Sequence, residues 1–255
     1  MMQWIMAGFL GWLGGSVVNY LSDILPHKRR LVGPICLACG ERQPWWNYLV
    51  WPRRCASCEA HRSIRIWIVE IIFIGASLWL WTSPPGGLGY WVGMTLLLYF
   101  GVVVVIDVEH RLILHPVSWA GALLGLGVGI WMHGLAPTLI GGAAGFGLML
   151  ALHSFGNLFA RGMARLRGEP IDEVALGFGD VNLSGVLGLL LGWPGIVGGL
   201  LLAILLGGVV SLFYLLIMLI RRRYQVFTAI PYGPFLVASA ILLLYFQESL
   251  LSITF

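Results

Sequence analysis

Gly177-Phe178-Gly179-Asp180-Val181-Asn182-Leu183-Ser184-Gly185-Val186-Leu187-Gly188 sets one carboxylate at the mouth of a run that is otherwise apolar. An ionisable side chain at bilayer depth costs ~2.5–3.5 kcal/mol on insertion scales, so an aspartate there points to function. Gly177 and Gly179 carry no Cβ, which lets the backbone bend and approach a partner closely. A membrane tolerates such a bend where it lines a polar cavity or is packed in protein. Asp180 therefore needs a partner, and the chain offers one at Asp107.

The sequence around this stretch is that of a membrane protein. Hydrophobic residues make up 59% and charged residues 10%, with mean hydropathy +0.89. No charge occurs between Ile71 and Ile106, or between Leu183 and Ile220. Each run is about two spans long, since one transmembrane helix needs ~20 apolar residues. The apolar residues are continuous rather than alternating, which argues against a β-barrel. The fold class is therefore an all-α polytopic membrane protein of about eight transmembrane helices. A small soluble loop separates helices one and two. Three regions follow: residues 1–25 as the first transmembrane helix, 26–65 as the loop, and 66–255 as a membrane domain of about seven helices that carries both aspartates.

The net charge of +4 does not indicate nucleic acid, because of how it is distributed. All fifteen basic residues fall in four stretches: Lys28 to Arg65, Arg111, Arg161 to Arg167, and Arg221 to Arg223. With eight helices, all four lie on one side, and the loops near Pro84-Pro85, His133 to Pro137 and Trp193-Pro194 carry no Lys or Arg. The positive-inside rule makes the basic side cytoplasmic and turns both termini outward. Met1-Met2-Gln3-Trp4 lacks the basic region of a cleavable signal peptide, so the first segment is expected to stay as an anchor. Arg221-Arg222-Arg223 reads as a stop-transfer anchor that also meets anionic lipid headgroups.

Segment one, about Gln3 to Leu25, carries Gly11-x-x-x-Gly15 and a polar face of Ser16, Asn19 and Asp23. Small and polar residues at this spacing join helices in lipid; the sharper alternative is that they line a substrate groove. The loop holds all four cysteines, Cys36-Leu37-Ala38-Cys39 and Cys55-Ala56-Ser57-Cys58. Two C-x2-C knuckles fifteen residues apart close a tetrahedral thiolate shell around zinc. The rival reading, two disulfides, fits a reducing cytoplasm poorly. Four thiolates leave no position for water, so the zinc is structural and supplies folding energy to a loop with little core. His61 reads as a solvated side chain rather than a further ligand.

Segments two and three span about Ile66 to Trp81 and Tyr90 to Ile106. Glu70, inside the second, is expected to snorkel or to pair with Arg65 or Arg111. Asp107 directly follows an apolar run and opens a hinge of Glu109, His110, Arg111 and His115, in which Arg111 sets the local field. Segments four and five, about Val117 to Trp131 and Thr138 to Ala160, contain Gly125-x-Gly127-x-Gly129 and Gly141-x-x-x-Gly145. No Lys accompanies these glycines, so close helix packing explains them better than a phosphate loop does. His153 is a candidate polar contact in the bundle, and Arg161 to Glu173 reads as a loop. Segment six starts near Asp180, segment seven ends at Ile220, and Ala229-Ile230-Pro231-Tyr232-Gly233-Pro234-Phe235 opens the eighth near the site.

Two carboxylates at one membrane face share a proton when they lie close together. One then acts as base on a water while the other, protonated, polarises a scissile carbonyl and donates to the leaving nitrogen. The chain has no G-x-S-x-G and no H-E-x-x-H, so serine and metalloprotease chemistry have no motif. From the residues alone, an intramembrane aspartyl protease stands against a structural ion pair and an ion pathway.

Gly177-Phe178-Gly179-Asp180 resembles the GxGD signature of type IV prepilin peptidases and presenilin-like intramembrane proteases. Nearly the whole chain is similar to the prepilin peptidase family. Gly15-Ser16-Val17-Val18-Asn19 through Leu25-Pro26 resembles its N-terminal segment, and the paired C-x2-C motifs its cytoplasmic zinc loop. Ile106-Asp107-Val108-Glu109-His110-Arg111 resembles the stretch with its first catalytic aspartate, and Ile230-Pro231-Tyr232-Gly233-Pro234-Phe235 its late P-[FY]-G-P-[FY] motif. The resemblance implies Asp107 and Asp180 as the catalytic pair and Cys36, Cys39, Cys55 and Cys58 as zinc ligands. It implies prepilins and pseudopilins as substrates, cut after a glycine at the end of a basic leader, in the bacterial inner membrane with the site facing the cytoplasm. Many members also methylate the new N-terminus with S-adenosylmethionine. Asp23, Glu109, Asp172 and Glu173 are the acidic residues available to a basic leader.

The chain departs from the family's pattern in three places. Asn182 stands where the signature usually continues to Lys, Leu114-His115 where the family usually has Pro-Asp, and the interval between the cysteine pairs is short. Rival functions are a GxGD protease for another membrane substrate, a non-enzymatic pilus or secretion assembly factor, and a proton-coupled transporter.

Overall fold

The computed structural model describes residues 2–50, 53–85, 87–167, 177–221 and 231–246, with the side chains of 160–167 left aside. Asp172, Glu173, Arg222, Arg223 and the Ala229-Ile230 lead-in lie outside the described residues. The helices are α1 (Met2–Lys28), α2 (Trp45–Leu49), α3 (Arg65–Thr82), α4 (Gly89–His110), α5 (His115–His133), α6 (Leu135–Arg167), α7 (Phe178–Leu191), α8 (Gly195–Ile220) and α9 (Gly233–Tyr245). The described residues contain no strand, only two isolated bridges in the cysteine loop. The chain is a multi-pass membrane protein. Five helical stretches are long and apolar enough to cross a bilayer: α1, α3, α4, Leu135–Phe159 of α6, and α8. The chain divides into two compact units, Met1–Ile106 and Asp107–Phe255.

In the first unit, α1 lies against α3 through its glycines. A methyl group at Gly11 would sit 2.6 Å from the Phe73 carbonyl oxygen, and one at Gly15 2.8 Å from Glu70 Cα. The polar face of α1 continues the same contact: Ser16 Oγ donates to Glu70 Oε1 at 3.1 Å, and Asn19 Nδ2 to the Ile66 carbonyl at 3.2 Å. This face is thus a helix-packing face.

Glu70 has a different partner from those expected. It is 4% exposed and receives Arg53 Nη2 on both carboxylate oxygens, at 2.9 and 3.0 Å. Arg53 belongs to the loop, and its guanidinium also stacks 4.5 Å from the Trp67 ring centroid. Spacing along one helix could not reveal a partner that arrives from a separate segment. Asp23 is likewise committed, bonded to Tyr48 Oη at 2.7 Å and ion-paired with Arg62 and Arg65. Its carboxylate is not free to meet a basic peptide.

The second unit is built around α7, whose Leu183, Val186, Leu187 and Leu190 are buried. Helices α5 and α6 press on it where glycine leaves room. A methyl at Gly125 would sit 3.0 Å from the Val186 carbonyl oxygen, and methyls at Gly129, Gly141 and Gly145 would strike the Leu189, Gly188 and Ser184 carbonyl oxygens. The glycine pattern is a packing pattern. Helix α8 is apolar on all sides, with Leu201, Leu205, Leu212 and Phe213 exposed, as a lipid-facing helix is.

Three boundaries differ from the sequence reading. Helix α1 passes through Pro26, which in a last turn removes only one backbone hydrogen bond. Helix α4 runs on to His110, so Asp107 sits in its last turn rather than in a hinge. Helix α6 runs to Arg167, where a loop from Arg161 was expected. Hydropathy marks where an apolar surface ends, and polar residues such as Glu and Arg extend the helix beyond it.

Candidate active site

The second unit brings Asp107, Asp180 and the start of α9 together. Asp107 is 5% exposed and Asp180 9%. Each carboxylate lies within electrostatic reach of the other, and Arg111 within reach of Asp107. The Gly233 backbone N–H donates to Asp107 Oδ2 at 3.1 Å. Tyr232, the residue that caps α9, lies within electrostatic reach of Asp180.

Local sequence explains how each group is held. Gly177 is the N-cap of α7, with ordinary extended angles of φ −69° and ψ 144°, so no left-handed bend occurs there. Asp180 falls in the first turn, where its backbone N–H donates to the Gly177 carbonyl at 3.1 Å and the Gly177 N–H lies within electrostatic reach of its carboxylate. The positive end of the helix dipole falls on the same carboxylate. Gly179 acts through close approach: a methyl there would sit 2.8 Å from Ile113 Cβ. Ile113 follows Asp107 by six residues, so this contact draws the two aspartate-bearing segments together. At Gly233 a methyl would lie 2.5 Å from Asp107 Oδ2, so only glycine presents its N–H this closely.

The sequence reading placed the late Pro-Tyr-Gly-Pro motif near the site but gave Gly233 no task. A glycine between two prolines at a helix start was the available signal. Glu109 is exposed at the end of α4. His153 Nε2 pairs with Asn157 Nδ2 at 3.0 Å within α6 itself rather than across the bundle.

A groove of about 500 Å³ runs between α5, α6 and α7, lined on α7 by Phe178, Asn182, Gly185, Val186 and Leu189. Gly142, Ala143 and Gly185 lie along it, Trp119, Phe146 and Phe178 add aromatic surface, and His115, Ser118 and Asn182 supply its polar side chains.

A profile of the type IV leader peptidase family matches residues 91–212, which include both aspartates. A prepilin leader peptidase/N-methyltransferase of Stutzerimonas stutzeri is 31% identical over 224 residues, 83% of this chain and 69% of the relative. That of Pseudomonas aeruginosa is 30% identical over 216 residues, 79% and 67% of the two chains. That of Pectobacterium carotovorum is 29% identical over 244 residues, 81% of each. The chain belongs to the type IV leader peptidase family. No solved structure matches it.

Membership of the leader peptidases makes this chain an enzyme, which removes the assembly-factor and transporter readings. His115 and Asn182, two of the positions at which the chain departs from the leader-peptidase pattern, line the same groove.

The four cysteines belong to the first unit. Their Sγ atoms all fall within 4.8 Å of one another, with Cys36–Cys58 and Cys39–Cys55 each at 3.7 Å. A zinc tetrahedron with bonds of about 2.3 Å has edges of about 3.8 Å, so the sulfurs fit the ion. The knuckles repeat one geometry. The Cys36 and Cys55 backbone carbonyls accept the Gly40 and Glu59 N–H groups at 2.8 and 3.0 Å, and Gly40 and Glu59 both have positive φ, 75° and 54°. Backbone N–H groups of Cys58 and Ser57 pull the Cys55 thiol down to about 6. The Glu41 N–H favours the Cys39 thiolate, yet neighbouring Cys58, Cys36 and Cys55 leave that thiol pushed up to about 12. Four sulfurs at these separations form a site that a cation completes. His61 is exposed and outside the cluster.

Proposed function

We propose that this leader peptidase is an aspartyl endopeptidase. It removes the basic leader of type IV prepilins and pseudopilins at the cytoplasmic face of the bacterial inner membrane. The observation that carries the reading is the meeting of two buried aspartates, Asp107 and Asp180, across 73 residues of sequence within electrostatic reach of each other. The pair holds one proton. The anionic member takes a proton from water as its oxygen bonds to the scissile carbonyl carbon. The protonated member polarises the carbonyl oxygen and then supplies the proton with which the leaving nitrogen departs. The Gly233 N–H holds the Asp107 carboxylate while this happens, and Arg111 and the start of α7 set the field around the pair. Zinc, held by Cys36, Cys39, Cys55 and Cys58, supplies a fixed fold to the loop and takes no part in the hydrolysis.

The relatives' names include N-methyltransferase, and we extend the proposal to methylation of the new N-terminus with S-adenosylmethionine. The polar cavity of about 400 Å³ beside the knuckles does not fit that cofactor's cationic head, because its carboxylate, Asp23, is committed to Tyr48, Arg62 and Arg65. Incubation with a synthetic prepilin tests both activities. The expected products are a peptide cut after the leader glycine and, with S-adenosylmethionine, one carrying an added methyl mass. An intact prepilin alongside folded, zinc-loaded enzyme contradicts the substrate assignment.

A further inference from the structure

We propose that the cysteine loop lies flat on the membrane and binds anionic phospholipid headgroups, with α2 as its interfacial wedge. This goes beyond the peptidase reading and does not depend on it.

The loop is folded back against the helix ends. The Trp45 ring lies 5.0 Å from that of Tyr20, eight residues before the end of α1 at Lys28. At 1.5 Å per residue that is about 12 Å back along the helix. Arg53 reaches Glu70, five residues into α3, and covers Trp67 on the way. A loop that stood off in water would touch only the helix ends. These contacts hold α2 at the depth where the apolar surfaces of α1 and α3 finish.

The face so placed is apolar and largely exposed. Trp46 is 75% exposed and Trp45 51%, with Val50, Ile64 and Trp67 also exposed. Tryptophan is the residue that settles at a bilayer's headgroup level. The exposed charge around it is net positive. The loop's cations Arg53, Arg62 and Arg65 are spent on Glu70 and Asp23. Its exposed charges are Lys28, Arg29, Arg30, Arg42 and Arg54 against Glu41 and Glu59. Exposed aromatics beside surplus cations combine the two attractions that hold a peripheral segment on an anionic bilayer.

The test uses the full chain in nanodiscs of phosphatidylcholine alone or with one third phosphatidylglycerol. Amide exchange over residues 44–50 is expected to slow severalfold in the anionic discs. Irradiation of a Trp46→benzoylphenylalanine variant is expected to yield a phospholipid adduct by intact mass. Replacing Lys28, Arg29 and Arg30 with Gln is expected to raise the phosphatidylglycerol content needed for protection, with affinity falling roughly fivefold per cation. Equal exchange in both discs by the wild type overturns the proposal. So does an adduct to an acidic protein in place of lipid, in a variant that retains zinc.

Discussion

The Gly233 backbone N–H donates to Asp107 Oδ2 at 3.1 Å, joining residues 126 positions apart. The last described helix thereby holds the first aspartate, and a side chain at position 233 would enter the space of the carboxylate. Gly233→Ala is expected to lower cleavage at least tenfold while leaving zinc content unchanged. Cleavage rate and metal stoichiometry on one preparation check this, and unaltered cleavage contradicts it.

The Arg53–Glu70 pair ties the cysteine loop to α3, with both side chains 6% exposed or less. Removing one partner strands a buried charge, at a cost of about 3–5 kcal/mol, whereas replacing both with apolar groups is far milder. Arg53→Ala should therefore lower the thermal midpoint in detergent sharply. Arg53→Met with Glu70→Leu should recover most of the loss. Equal losses in the two proteins count against a buried pair.

His115 and Asn182 line one groove, and each stands where the family usually has a charged residue of opposite sign to the other. His115→Asp or Asn182→Lys alone adds an unpaired charge to a groove in the membrane domain, and each is expected to lower activity. Together the new charges offset each other, and activity should return well above the product of the single effects. A double-mutant cycle on cleavage rate reads the coupling; strict additivity removes the pairing.

The cysteine site gives a pH prediction with a definite sign. The Cys55 thiol, drawn from 9.0 down to about 6 by the Cys58 and Ser57 N–H groups, is depressed in the folded loop. Its contribution is complete above pH 9 and lost as pH falls through about 6. Zinc titrated with a chromogenic chelator should stay bound at pH 7 and be released below about pH 6. Cys55→Ser should hold no stoichiometric zinc at either pH.

The helical architecture was legible because charge-free runs and packing glycines follow directly from life in lipid. The cysteine spacing likewise pointed to a tetrahedral cluster, because two knuckles admit few other arrangements. The ends of α4 and α6 were not legible, since hydropathy is silent on a helix that continues beyond an apolar surface. Glu70's partner was hidden for another reason. Arg53 reaches it from a loop position with φ 53°, and neither that conformation nor the fold-back of α2 leaves a periodic trace. Gly233 shows the same limit, because its role appears only when α9 is set beside α4's last turn.

The most direct test of the aspartate pair compares wild type, Asp107→Asn and Asp180→Asn on one synthetic prepilin, with products read by mass spectrometry and zinc content confirming the fold. Cleavage by the wild type, with a loss of at least a thousandfold in each variant, is the predicted result. Cleavage that persists in either folded variant would contradict the two-aspartate mechanism.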